Sequence, residues 1–204
     1  VVPAISWATD LSPVIQLGMK PVLCDCNLDD LSIDLDHFYQ IAKTERPEVL
    51  MLVSVLGLAP QMDKIIDICE EFNIILLEDT CDALGSKYDG KLLGSFGNFA
   101  SCSFYPAHHI TMGEGGFVAC STREEEIIVK SLREWGRGCY CSGKAAACLK
   151  NGMCGKRFSP WIDSMPDTIF DHKFVYEEIG YNLKPMDMQA AMGLAQIEKI
   201  DEII

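Results

Sequence analysis

Apolar runs and amphipathic segments alternate along the first two thirds of this chain. The runs at residues 48–55, 73–77 and 100–104 are largely apolar, which is typical of strands buried on both faces of a parallel sheet. Segments with apolar residues three and four positions apart predict helices with one buried face. These helices are predicted at residues 10–17, 34–43, 63–72 and 123–135. The alternation predicts an α/β fold with a mostly parallel central sheet flanked by helices.

The most informative stretch is residues 101–116, which read SCSFYPAHHITMGEGG. A strand-like run ends before Pro106, two adjacent histidines follow, and glycines precede a second apolar run. Because glycine adopts positive φ angles that other residues resist, this pattern predicts a strand, a polar turn and a second strand. His108 and His109 would then be aimed by a scaffold, although adjacent loop histidines are often ordinary surface residues.

A second polar stretch, EDTCDALG at residues 78–85, follows the predicted strand at residues 73–77. Ligands of open α/β sheets gather at the carboxyl ends of strands. This position favours Asp79 as a ligand contact. The alternative is that Asp79 caps the N-terminus of a helix.

Together these stretches resemble the PLP-dependent sugar aminotransferases of the DegT/DnrJ/EryC1/StrS family. That family has a lysine six residues before the glutamate of Gly-Glu-Gly-Gly, where this chain has His108. Histidine at this position resembles the branch that does not transaminate, the nucleotide-hexulose 3-dehydratases. A lysine amine can hold PLP as a Schiff base, whereas an imidazole can only move a proton near neutral pH. The resemblance implies a fold of the aspartate aminotransferase type (fold type I).

The resemblance also implies roles for further residues. Trp7, in the motif SWAT, maps onto the aromatic residue that stacks on the pyridine ring, although a core tryptophan is an equal alternative. Asp79 maps onto the partner of the pyridinium nitrogen, and Asp82 onto a position beside the ring. Ser103 maps onto the serine that binds the cofactor phosphate. Asn182, in the motif GYNLK, maps onto an asparagine that reaches the phosphate in the partner subunit, which implies a homodimer.

The chain has ten cysteines, which fits a reducing compartment with some thiols committed to a metal. Cys69, Cys102 and Cys120 lie in apolar runs and are predicted to be plain buried thiols. Residues 137–158 are rich in glycine, alanine and cysteine and are predicted to form a long functional loop. By spacing alone, the Cys-x-Cys pair in this loop favours structural zinc as much as iron–sulfur.

The spacing of Cys81, Cys139 and Cys141 resembles the cluster motif of the iron–sulfur branch of the family, the CDP-4-keto-6-deoxyglucose 3-dehydrases. Four thiolates satisfy a [2Fe–2S] cluster. Twelve residues lie between Cys141 and Cys154, more than the resemblance leads us to expect, and they include Cys148. We assign Cys154 as the fourth ligand because Cys-Gly-Lys-Arg-Phe matches the family's fourth-ligand context, and Cys148 is the alternative.

Charge and hydropathy exclude two classes of partner. The net charge is −13, which argues against binding to a nucleic-acid backbone. No apolar run reaches the roughly 18 residues that a membrane-spanning helix needs. We recognise no secretory signal in this sequence, which starts without Met, and the cysteine content leads us to expect a cytoplasmic protein. The resemblance implies that residues 1–204 are part of the cofactor-binding major domain. It also leads us to expect the family's first cofactor segment before Val1 and its small C-terminal domain after Ile204.

The resemblance implies a PMP-dependent dehydration at C3 of a CDP-4-keto-6-deoxy-hexose, with His108 as the base. Electrons from a separate NADH-dependent flavin/iron–sulfur reductase would then pass through the [2Fe–2S] cluster. The product would serve 3,6-dideoxyhexose and O-antigen formation in lipopolysaccharide biosynthesis. Three alternatives stay open: a cluster-free GDP-4-keto-6-deoxymannose 3-dehydratase, a sugar aminotransferase, and a non-catalytic module that binds zinc.

Overall fold

The computed structural model describes residues 1–138 and 154–204. Its elements in chain order are β1 (Val2–Pro3), α1 (Ala8–Gln16), β2 (Leu23–Cys24), α2 (Leu35–Glu45), β3 (Val49–Val53), α3 (Met62–Phe72), β4 (Ile75–Asp79), β5 (Lys87–Tyr88), β6 (Lys91–Leu92), β7 (Phe99–Ser103), β8 (Gly116–Cys120), α4 (Arg123–Arg133), β9 (Phe158–Ser159), β10 (Phe170–Asp171), α5 (Asp187–Ile197) and α6 (Ile200–Ile203). They form two compact units, residues 1–121 with 185–204, and residues 122–184. In the described part of the chain, every helix is too short or too polar to cross a membrane.

A central sheet organises the first unit. Its four strands have the order β3–β4–β7–β8, in which β3, β4 and β7 are parallel and β8 runs antiparallel to β7. β1 continues the sheet beside β3, because the main chain of Val1 hydrogen-bonds to Val49 and Met51 at 2.6 and 2.9 Å. β2 pairs in parallel with β1. The predicted α/β architecture with a mostly parallel sheet is therefore confirmed.

The core of the first unit lies on one face of this sheet. Leu50 and Leu52 of β3 are fully buried, and the parallel register places them beside Leu76 and Glu78 of β4. Phe38 of α2 and the adjoining α3 side chains cover this face, as the helical periodicity predicts. Complete burial of a side chain of this size contributes roughly 1.5–3 kcal/mol. This burial makes the sheet a rigid base for the residues at its edge.

The turn from α3 into β4 differs slightly from the prediction. Asn73, expected to start the strand, ends α3 in the left-handed conformation at φ 55°. The main chain of Ile74 then hydrogen-bonds back to Cys69 at 2.8 Å. Asparagine tolerates this conformation better than most residues, so the strand begins only at Ile75.

The second unit contains α4 and a short antiparallel hairpin of β9 and β10. Thr122 caps α4: its hydroxyl accepts the main-chain N–H of Glu125 at 3.2 Å, and the Glu125 carboxylate accepts the N–H of Thr122 at 2.8 Å. The predicted apolar side of α4 is only partly covered, and Ile128 is 53% exposed. Among the described residues of this unit, no apolar side chain is buried.

Two helices, α5 and α6, end the chain. Met186 is the N-cap of α5. Asp187 lies in the first turn, where its negative charge interacts favourably with the helix dipole.

Candidate active site

The carboxyl edge of the central sheet collects the polar residues that the sequence singled out in the first unit. β1 leads into Trp7 and α1, β4 ends at Asp79, and β7 ends at Ser103. Because β4 and β7 are parallel neighbours, Asp79 pairs with Ser101, two residues before Ser103. Parallel strands thus bring residues that are distant in sequence to one place, which is where open α/β sheets bind ligands.

Asp79 is the centre of this edge. Its carboxylate accepts the main-chain N–H of Cys81 at 2.9 Å, which closes a turn after β4. Its side chain also contributes to raising the pKa of the Asp10 carboxyl group and the pKa of the Cys81 thiol. The alternative of a helix cap is wrong, because the residues that follow Asp79 form turns. Aspartate commonly closes such turns by accepting an N–H two residues on.

Asp10 belongs to this site, and the sequence analysis assigned it no role there. It is 3% exposed, and its carboxylate accepts the main-chain N–H of Trp7 at 2.9 Å. Burial, and then the hydrogen bond and charge of Asp79, raise the pKa of Asp10 to about 7. The sequence signal was an acidic residue three positions after the N-cap, which also occurs in ordinary capping boxes.

Cys81 lies directly beside Asp79 and is half-buried. Burial, followed by the hydrogen bond and the charge of Asp79, raises the pKa of its thiol well above the usual range. Both causes disfavour the thiolate as long as no positive charge is nearby.

The two adjacent histidines have different surroundings. The imidazole Nδ1 of His108 lies 3.0 Å from a carboxylate oxygen of Asp82, and the His108 side chain is 19% exposed. His109 is exposed. The structure therefore brings together His108 and Asp82, one residue from each predicted polar stretch.

The local backbone structure explains why two positions after the histidines are glycines. Gly113 has φ +76°, in the region that favours glycine. Gly116 pairs with Ser103 between β7 and β8, and a Cβ atom there would lie 2.4 Å from the carbonyl oxygen of Cys102. The predicted order of strand, polar turn, glycines and strand is confirmed.

The remaining predicted cofactor residues are placed as follows. Trp7 is 74% exposed, so the alternative of a core tryptophan is wrong and its ring is open to a ligand. Ser103 is half-buried, and its hydroxyl oxygen accepts the N–H of Tyr105 at 3.1 Å. Asn182 belongs to the second unit, where it is exposed and its main chain bridges to Glu134.

The predicted metal ligands are only partly described. Cys139 and Cys141, together with the alternative ligand Cys148, lie outside the described residues. Cys81 belongs to the first unit, and Cys154, which is half-buried, to the second. Within residues 1–138 and 154–204, no three His, Cys, Asp or Glu side chains are grouped to hold a metal ion. The four-cysteine site stays a prediction.

The other cysteines of the first unit largely follow the prediction. Cys69 and Cys102 are buried, and Cys120 is half-buried. Burial raises the pKa of both Cys69 and Cys102 to about 11, as expected of inert thiols.

Two curated relatives share most of this chain. The lipopolysaccharide biosynthesis protein RfbH of Salmonella typhimurium is 43% identical over 201 residues, which are 98% of this chain and 44% of that protein. The dTDP-4-dehydro-2,6-dideoxy-D-glucose 3-dehydratase of Saccharopolyspora spinosa is 40% identical over 200 residues, which are 98% of this chain and 42% of that enzyme. The chain thus spans less than half the length of either relative.

A solved structure supports the same relationship. The E. coli GDP-4-keto-6-deoxy-D-mannose-3-dehydratase with bound hydrated PLP matches 98% of this chain and 48% of its own, with a TM-score of 0.80 and 28% identity. This likeness confirms the predicted fold of the PLP-dependent aminotransferase type. The model of the DegT/DnrJ/EryC1/StrS aminotransferase family matches residues 1–204. The chain therefore belongs to the DegT/DnrJ/EryC1/StrS aminotransferase family.

Proposed function

We propose that this chain is the cofactor-binding part of a PMP-dependent nucleotide-sugar 3-dehydratase. The observation that carries this proposal is the contact between His108 and Asp82, which is close in sequence to Asp79. His108 stands at the position where the aminotransferases that this chain resembles have a lysine. Two of the similar proteins reported above are named as sugar 3-dehydratases. An imidazole there supports proton transfer without covalent attachment of the cofactor.

The residues at the sheet edge fit a pyridoxamine cofactor. Asp79 offers a carboxylate to the pyridinium nitrogen, and the exposed ring of Trp7 offers a stacking surface. Ser103 offers a hydroxyl group to the phosphate, and Asn182 of the partner subunit would complete that contact in a homodimer. When bound, the cofactor supplies an electron sink that makes the carbon next to its amine acidic.

His108 acts as the base in this proposal. With Nδ1 hydrogen-bonded to Asp82, a neutral imidazole keeps its lone pair on Nε2, which can accept a proton from that carbon. Asp82 holds the ring in this tautomer and stabilises the imidazolium that forms, as carboxylates do in catalytic triads. The sugar would then lose its C3 hydroxyl group as water, which takes up the proton that His108 removed.

We further propose that Cys81, Cys139, Cys141 and Cys154 bind a [2Fe–2S] cluster, which would supply electrons one at a time. The spacing of these cysteines and the free thiols of Cys81 and Cys154 support it. A bound cation would offset the burial and the Asp79 charge that raise the pKa of Cys81.

The substrate, the electron donor and the product are assigned on the basis of this second proposal. The substrate would be a CDP-4-keto-6-deoxy-hexose, and an NADH-dependent flavin/iron–sulfur reductase would supply the electrons. The product would be a 3,6-dideoxy sugar precursor, formed in the cytoplasm. The name of the Salmonella relative supports a role in lipopolysaccharide biosynthesis.

The decisive test of the cluster is an iron and sulfide assay with visible absorption on the anaerobically purified full chain. We expect about two irons and two sulfides per chain, and loss of both in Cys141→Ser. Cys69→Ser, which changes a buried thiol outside the predicted ligand set, is the matched control. Colourless protein without iron would favour the cluster-free dehydratase, and bound zinc with no PMP binding would favour the non-catalytic module.

The test of the base is His108→Lys, with His109→Lys as the matched control. Loss of general-base catalysis lowers the rate of C3 dehydration by about 10²- to 10⁴-fold in His108→Lys, and His109→Lys keeps the rate. The measurement is substrate consumption in the full chain loaded with PMP. Full dehydration by His108→Lys would contradict the assignment. Borohydride fixation of PLP on the unaltered protein would favour a sugar aminotransferase.

A further inference from the structure

The C-terminal end of α4, in the second unit, carries a tryptophan in a backbone conformation that glycine prefers. Trp135 directly follows the C-cap Glu134 and has φ +62°, in the left-handed region. The residue at this place is usually glycine, because a Cβ atom makes the conformation costly. The main-chain N–H of Trp135 donates to the carbonyl oxygen of Tyr181 at 2.9 Å, which holds the turn in place. A large side chain at a position that disfavours it indicates that the ring itself has a use.

Two cations converge on this ring. The guanidinium carbon of Arg137 lies 4.7 Å from the ring centroid of Trp135, and the ammonium nitrogen of Lys184 lies 3.3 Å from it. Each contact is favourable by itself, since the face of an indole ring attracts cations. Two cations beside one ring nevertheless repel each other, so negative charge nearby stabilises the arrangement. The Trp135 side chain is 39% exposed, which leaves the group open to a ligand.

The protein supplies only part of that negative charge. The carboxylate of Glu134 lies 3.1 Å from Lys184 and 3.5 Å from Arg133, so one carboxylate serves two cations. Among the described residues, no carboxylate comes within ion-pair distance of Arg137, and its Nε is buried without an acceptor. An unpaired donor costs more free energy when it carries charge than when it is neutral. Arg137 and Lys184 therefore keep charge and hydrogen-bonding capacity that an anion can use.

We propose that Arg137 and Lys184 bind the diphosphate group of a nucleoside diphosphate, with Trp135 as the surface that holds the two cations together. Because both cations lie against one ring, one diphosphate group can reach both. The planar guanidinium of arginine matches two phosphate oxygens, and the ammonium of lysine adds a point charge. The net charge of the chain is −13, so an anionic ligand needs a local group of cations to bind.

The place of this pair connects it with the proposed function. The main chain of Glu134 bridges to that of Asn182, two residues before Lys184. Asn182 is the residue proposed above to contact the cofactor phosphate of the partner subunit. The inference rests on the proposed function for the identity of the ligand, and it adds the residues that would hold the nucleotide part of the substrate.

Three substitutions test the site in opposite directions. Arg137→Gln and Lys184→Gln each remove one positive charge and keep an amide donor. Glu134→Gln removes the carboxylate that competes with an anion for Lys184. Lys20→Gln is the matched control, because Lys20 pairs with Glu45 at 3.3 Å in the first unit.

The first measurement is the dissociation constant of CDP for the full chain by calorimetry, with GDP and dTDP measured in the same way. We expect Arg137→Gln and Lys184→Gln each to weaken binding about 10-fold, as for loss of a charged hydrogen bond. Glu134→Gln is expected to bind several-fold more tightly, a gain that a misfolded variant does not show. Lys20→Gln is expected to bind like the unaltered protein. The loss is the same for each nucleotide that binds, because the contacts are to the diphosphate that all three share.

Several outcomes of this measurement would overturn the inference: no nucleotide binding by the unaltered protein, no loss in the two variants that lack a cation, no gain in Glu134→Gln, or a loss that depends on the base. If Arg137→Gln does not fold, the other two variants still decide, because they change opposite members of one ion pair.

The second measurement is the dissociation constant of PMP for the same proteins. We expect Arg137→Gln and Lys184→Gln to bind PMP like the unaltered protein. Weaker binding of PMP with unchanged binding of CDP would assign the two cations to the cofactor phosphate and overturn the inference. Failure of the unaltered protein to bind PMP would refute the proposed function, and the nucleotide measurements would still decide on Arg137 and Lys184.

Discussion

The two units of this chain form similar local structure but bury very different amounts of apolar surface. In the first unit, α2 begins at the side-chain cap Asp34, and α2 and α3 both end at a left-handed residue. They cover a face that includes Leu50 and Leu52, which are fully buried. In the second unit, α4 has an equally complete cap at Thr122, yet none of its apolar side chains is buried among the described residues. Local signals thus form helices in both units, and only the first adds a hydrophobic core.

The candidate functional residues follow the same division. The proposed base and the residues at the sheet edge are held by strand ends above a buried core, which keeps a catalytic geometry fixed. Cys154 and Asn182 belong to the unit without buried apolar side chains in its described residues. In the proposed enzyme, metal binding and the partner subunit would supply there the free energy that apolar burial supplies in the first unit.

The strongest test of this comparison removes a large apolar side chain from each unit. Phe38→Ala creates a cavity in the core and is expected to lower the free energy of unfolding by about 3–5 kcal/mol. Ile128→Ala removes a half-exposed side chain and is expected to lower it by less than about 1 kcal/mol. Urea denaturation of the full chain measures both. Equal losses of unfolding free energy in the two variants would show that the second unit contains a hydrophobic core that stabilises it as strongly as the core of the first unit.

A smaller effect is expected from the buried polar contact under the site. Glu78 is 2% exposed, and its carboxylate accepts three main-chain N–H groups, from Gly94, Phe96 and Gly97, at 2.6–2.7 Å. Glu78→Gln places an amide N–H against one of these donors, which is expected to destabilise the protein by about 1–3 kcal/mol. The control Glu71→Gln changes an exposed carboxylate and leaves the unfolding midpoint nearly unchanged.

The smallest effect, which is expected to be similar in the two units, concerns the helix caps. Asp34→Ala in the first unit and Thr122→Ala in the second each remove a side chain that accepts an N–H at a helix start. Each is expected to lower the free energy of unfolding by about 1 kcal/mol. Similar losses in urea denaturation would sharpen the comparison, because they would assign the difference between the units to burial. A much larger loss in one unit would mean that its cap also supports tertiary packing.

The sequence predicted the elements of the first unit well because their signals are local. Periodicity located α2 and α3 and their buried faces, and the apolar runs located the central strands. The residue between α3 and β4 was misplaced, since the left-handed turn at Asn73 depends on how the chain must turn back to the sheet. The exposure of Ile128 was also beyond prediction, because an apolar face can be covered only if another element packs on it.

For the candidate site, the sequence by itself determined which residue types are present: an imidazole in place of a lysine, acidic residues after a strand, and spaced cysteines. The tertiary structure alone decided which of them meet. It paired His108 with Asp82, left the ring of Trp7 exposed, and buried Asp10 of the first helix. The physical reason is that a parallel sheet joins strand ends that lie far apart in the chain, and no local pattern records which ends become neighbours.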